Sequence, residues 1–149
     1  MIEFIKLGLL FSAFGCFLEV FFTSVYDSIE MFLRQGKDKV DVRFFGYWSI
    51  LYVLVYGVVL TAFWLYVAVP YVYPLHWIWR IFIYGFCFQV GEYLCMYSMH
   101  LVFGQSPSES HYIGKFDTIH NFTRLSYFPA FVFEAFAFEW VYGTFMCVA

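Results

Sequence analysis

Charge is scarce in this chain. Of its 149 residues 13% are Asp, Glu, Lys or Arg, against 63% hydrophobic. That shortage excludes a soluble domain, because a fold of this size leaves much of its area exposed and has too little polar surface to cover it. A net charge of -3 with no basic tract excludes nucleic acid as a partner. No glycine-rich phosphate loop occurs, so nucleotide hydrolysis within the chain is excluded too. The four cysteines, Cys16, Cys87, Cys95 and Cys147, form neither a CxxC pair nor a Cys/His zinc spacing. They read as small packing residues, and neither a metal nor another cofactor is expected.

What the chain has in quantity is apolar and aromatic mass: 27% aromatic, with 22 Phe and 13 Tyr. A bilayer core takes about 20 apolar residues of helix, and four stretches qualify, near residues 4–26, 46–69, 75–103 and 125–147. The fold class expected is therefore all-α, an integral membrane bundle of four transmembrane helices forming one domain over 1–149. The first run, MIEFIKLGLLFSAFGCFLEVFFTS, is too long for a signal peptide, carries Glu19 and lacks an A-x-A site, so a retained helix is expected. Between the second and third runs lies only PYVYPLH, where Pro70 and Pro74 predict a break and a tight hairpin.

An even number of spans puts both termini on one side. Arg34, Lys37, Lys39, Arg43, Lys115 and Arg124 fall in the two long connections, and only Lys6 and Arg80 oppose them. The positive-inside rule then predicts cytoplasmic long loops and non-cytoplasmic termini, in a membrane the sequence does not identify. The sequon Asn121-Phe122-Thr123 would face the cytosol and is read as unused. Residues 111–122, with apolar side chains among His, Lys and Asp, read either as a short interfacial helix or as a polar loop with scattered aromatics.

Polar residues inside the runs are the candidate functional positions. On the first helix Gly8, Ser12, Gly15, Cys16, Glu19 and Thr23 recur at steps of three and four and share a face. On the third, Gly85, Gln89, Glu92, Met96 and His100 trace a comparable stripe, and the fourth aligns Ala130, Glu134, Ala137 and Val141. Each helix thus aims one carboxylate inward. Counting about 1.5 Å per residue places Glu19 roughly 10 Å deep and Glu92 and Glu134 roughly 16 Å deep. An intramembrane cluster of Glu19, Glu92 and Glu134 is expected, in which at least one acid holds a proton or a cation joins them. Equally open is a structural role, protonated glutamates tying helices to Tyr52, Tyr56, Thr61 or Gln89. Arg80, entering the third helix from the far side, is expected to reach for headgroups. The pairs Tyr56-Gly57 and Tyr84-Gly85 hint at two duplicated hairpins.

The ordered blocks GCFLEVFFTSVYD, FGYWSILYVLVYG, WRIFIYG with GEY after it, and YFPAFVFEAF resemble the transmembrane protein 229 family and its bacterial relatives, which are described as ABC-transporter permease-like. The resemblance spans about Gly15 to Glu139. It implies a four-helix multi-pass protein of uncharacterised role, with Gly15, Glu19, Thr23, Gly46, Tyr56, Gly57, Arg80, Tyr84, Glu92, Pro129 and Glu134 as signature residues. Two departures stand out. The family pattern has an acid where this chain has Trp64, and Trp-Asp-Tyr where it has Ser110-His111-Tyr112. Any activity needing those groups does not carry over.

Three functions fit. The first is a non-enzymatic small membrane protein or accessory subunit of a larger membrane complex, whose partners are the lipid bilayer and other membrane proteins. The second is a proton-coupled transporter or channel acting as a homo-oligomer through its carboxylates. The third, an intramembrane enzyme, is left with little: His100 lies about 12 Å from Glu92 along a straight helix, and no nucleophile joins them, so no catalytic residue is assigned.

Overall fold

The computed structural model describes residues 2–35 and 50–146. It is mostly helical: α1 spans Ile2–Gln35, α2 Leu51–Val72, α3 Trp77–Phe103, α4 Pro107–Tyr112 and α5 Phe128–Met146. A two-residue antiparallel pair, β1 (Thr118–Ile119) with β2 (Thr123–Arg124), lies between α4 and α5. Two stretches, Ile2–Val25 and Leu51–Val72, are long and apolar enough to cross a membrane. Only 28% of each is buried within the chain, whereas the core helix of a soluble protein would be mostly covered.

Contacts divide the chain into two compact units, 1–62 and 63–149. In the first, the small-residue face expected on α1 packs against α2. A β-carbon on Gly8 would stand 2.6 Å from the Gly57 carbonyl oxygen, and one on Gly15 would overlap the Tyr56 ring. Ser12 donates to the Val53 carbonyl at 3.1 Å, satisfying its hydroxyl inside the contact. Leu7, Phe11, Leu18, Tyr56, Leu60 and Thr61 are buried around this seam.

The second helix departs from expectation. It runs on through Pro70 rather than ending before it, because it is π-wound over Val55–Leu60 and Trp64–Val72. Thr61 Oγ1 donates to the Tyr56 carbonyl five residues back, and the Tyr73 amide donates to Ala68, also five back. The wider turn accommodates a proline ring that α-winding would drive into the preceding carbonyls. The expected start at Gly46, like Lys37, Lys39, Arg43 and Cys147, lies outside the described residues. The first helix continues past residue 26 to Gln35.

In the second unit α3 packs along α5. His76 caps α3 by accepting from the Ile78 amide, and Gly104, at φ 76°, ends it in the left-handed conformation. Gly85 lets Phe128 and Val132 of α5 approach. Trp64, Tyr84, Met96, Ala135 and Phe138 are buried here. The segment 111–122 is not an interfacial helix. The chain leaves α4 at Tyr112, turns at Gly114 with φ 79°, and reverses through His120 and Asn121, both at positive φ, with the Phe122 amide donating to Ile119. That is a type I′ turn, which fixes the short β pair.

Candidate functional site

The candidate site residues are glutamates in the helices, and each is placed within its own unit. In 1–62, Tyr56 donates its hydroxyl to Glu19 Oε2 at 3.1 Å. Gly15 provides the space under the Tyr56 ring, and Thr23 turns its hydroxyl onto the Glu19 carbonyl at 2.7 Å. Gly57, one residue on, lies against Gly8 and Ser12 of α1. Five residues singled out from sequence, Gly15, Glu19, Thr23, Tyr56 and Gly57, thus belong to one contact set.

In 63–149 a second glutamate organises a cluster. Arg80 Nη1 pairs with Glu139 Oε1, Tyr84 donates to Glu139 Oε2 at 2.8 Å, and Tyr73 donates to the Glu139 carbonyl at 3.0 Å. The side chains of Arg80 and Glu139 are 22% and 18% exposed, so the pair is largely shielded from its surroundings. Trp64 stacks on Tyr84 with ring centroids 5.7 Å apart, and the Arg80 guanidinium stands 5.9 Å from the centre of the Phe136 ring. Arg80 therefore does not reach outward as expected. Its acid partner is Glu139 of α5.

Sequence reasoning passed over Glu139, because spacing along α5 does not show which of its acids lies opposite Arg80. Antiparallel packing of α3 on α5 sets the first turn of α3, with Arg80, beside the second half of α5, with Glu139. At the opposite end of the same packing, Gln89 Nε2 donates to Thr123 Oγ1 and, at 3.0 Å, to the Arg124 carbonyl. Glu92 accepts from Tyr112 at 2.9 Å, and Glu134 is buried.

Around the hairpin lies a further polar group. Arg124, only 4% exposed, binds Asp117 through Nε and Nη2 at 3.1 Å each, while Ser126 donates its amide to Asp117 Oδ2. Burial alone would raise the Asp117 carboxyl, yet the hydrogen bonds from Ser126 and Arg124 outweigh it and hold the acid below its ordinary value. Glu109 is likewise lowered, first by its hydrogen bond to His100 and then by the Ser106 amide it caps. Both are structural ties: the capping box fixes α4, and the ion pair fixes the hairpin. Among the described residues no group of three or more His, Cys, Asp or Glu is placed to hold a metal ion. No family model, no curated protein and no solved structure matches this chain.

Proposed function

We propose that the chain is a multi-pass integral membrane protein, a four-helix bundle without enzymatic chemistry, acting as a small accessory subunit of a larger membrane assembly. The observation that supports this is where apolar and polar side chains lie. Phe82, Phe86, Val90, Leu94, Tyr97 and Leu101 are exposed at steps of three and four along α3, and Phe133 and Trp140 are exposed on α5. On α1 and α2, Ile5, Leu9, Phe17, Val58 and Tyr66 are exposed in the same way. Water would penalise such faces, and lipid or a partner's helix would not. The acids Glu19, Glu92 and Glu139 meanwhile turn to tyrosines of this chain. Kinship with the transmembrane protein 229 family is part of the same proposal and rests on the ordered sequence blocks.

The test is mild solubilisation from the native membrane, followed by mass measurement and identification of co-purifying proteins. A stable complex of defined composition is expected. A lone monomer in every detergent overturns the subunit role, and release of the chain by an alkaline wash overturns membrane insertion. A proton-coupled transporter or channel, working as a homo-oligomer, is the second reading. It is favoured by Glu19, whose carboxyl meets a hydroxyl and no cation among the described residues. It requires a flux in reconstituted vesicles that Glu19→Gln abolishes.

A further inference from the structure

Tyr56 and Tyr84 share a local sequence, each followed by glycine and each donating its hydroxyl to a glutamate on another helix of its own unit. The two glutamates differ in one respect. Glu139 is bound by Arg80 as well as by its tyrosine, so its negative charge is compensated. Glu19 has Tyr56 as its side-chain partner and no cation among the described residues.

What surrounds Glu19 follows from the sequence of the two helices that meet there. Between 51 and 62, α2 carries neither acid nor base, and its titratable groups are Tyr52 and Tyr56. One turn away on α1 stand Cys16 and Thr23, and the Thr23 hydroxyl is already turned onto the Glu19 backbone. The nearest charged positions of α1 are Asp27, about 12 Å further along the axis, and Lys6, about 20 Å back. An ionised carboxylate in lipid without a counter-ion is strongly disfavoured, and holding a proton removes the charge. Tyr56, seated over Gly15, keeps a donor on the carboxyl in either state.

Resting on the membrane reading above, we propose that the Tyr56–Glu19 pair is a proton-binding site that exchanges its proton within the membrane, whereas Arg80 and Glu139, with the Tyr84 hydroxyl on the acid, form a permanently ionised clamp. The clamp fixes helices, and Glu19 is the position through which the protein responds to or carries protons.

A hydrophobic carbodiimide distinguishes the two carboxyls. The acid's proton passes to a carbodiimide nitrogen as the carboxyl oxygen adds to the central carbon, so a neutral acid in lipid reacts and an arginine-bound carboxylate does not. Membranes holding the full chain are treated with dicyclohexylcarbodiimide, and the adducts are located by peptide mass spectrometry. Expected is about tenfold or more adduct on Glu19 over Glu139, falling as the medium is made alkaline and lost in Glu19→Gln. In Arg80→Gln, which strips the clamp of its cation, Glu139 is expected to become reactive while Glu19 labels as before. Equal labelling of both acids in the unaltered chain overturns the proposal. So does an unlabelled Glu19 at every pH in a chain that resists alkaline extraction. Loss of the chain on alkaline extraction instead overturns the membrane reading, so the two failures are told apart.

Discussion

Gly15 lies under the ring of Tyr56, and a β-carbon there would overlap the ring itself. Gly91, in the middle of α3, has nothing within 4 Å of the corresponding point. Two glycine-to-alanine substitutions of identical chemistry should therefore diverge. Gly15→Ala is expected to cost about 1–3 kcal/mol through forced repacking, and Gly91→Ala to be neutral or to gain up to about 1 kcal/mol in helix propensity. Denaturant titration of both variants in the same detergent checks this, and equal stabilities would refute the close approach of α1 to Tyr56. The Arg80–Glu139 pair makes a second residue-scale prediction. Removing one partner leaves a charge shielded from water, so Arg80→Gln should cost about 3 kcal/mol. The double variant Arg80→Gln/Glu139→Gln should cost less than the two single variants together, because the amides can bond to each other. Glu19 was legible from helical spacing, whereas Glu139 was not, because its importance depends on which residue of α3 lies opposite it. Spacing along one helix does not contain that register.

At the scale of elements, helices were read well where apolar length decides and poorly where winding or turn chemistry does. Pro70 signalled a helix end, but π-winding carries α2 past it. Residues 111–122 have a helix-like apolar spacing, yet Gly114, His120 and Asn121 adopt positive φ and the chain forms a hairpin. The hairpin depends on Asp117, whose carboxylate accepts from Arg124 and from the Ser126 amide and whose backbone carbonyl accepts from the Leu125 amide. Since these bonds hold its carboxyl below the ordinary 3.8, Asp117 contributes stability that is complete above that value and is lost as pH falls through the lower folded value. Hydrogen exchange at the Ser126 amide, corrected for intrinsic rates, should stay protected through neutral pH and lose protection in that acidic window. Asp117→Asn should remove this pH dependence and weaken protection by about 1–3 kcal/mol at neutral pH. The Ser106 amide is bound to Glu109 and reports on that carboxyl separately. A Ser126 response unchanged by Asp117→Asn would mean that the hairpin is held elsewhere.

For the whole molecule the decisive quantity is how many times the chain crosses the bilayer. Two helices pass the length and apolarity requirement on their own. For α3 and α5, of 27 and 19 residues, the proposal of spanning rests on outward apolar side chains, since polar residues such as Arg80, Gln89, Glu92, Glu134 and Glu139 dilute their mean hydropathy. Composition points to the membrane class, and that dilution is why it does not give the number of spans. Under the proposal of four spans both termini share one side, and the charge rule, with six basic residues in the two long connections against two elsewhere, predicts that this side faces away from the cytoplasm. Loops carrying Lys115 should then be reachable from the cytoplasm, with Phe116, 90% exposed beside it, at the headgroup level. Epitope tags at the two ends, with a cysteine reporter substituted at Lys115, test the arrangement in sealed membranes. Both tags are expected to be cut by protease added from the non-cytoplasmic face, and the reporter to react with an impermeant maleimide only from the cytoplasmic face. Tags on opposite faces would require an odd number of spans and would overturn the four-span proposal. Tags together but cytoplasmic would keep four spans and invert the charge rule, moving Arg80 and Lys6 to the inner side and the hairpin with its buried Arg124 to the outer one.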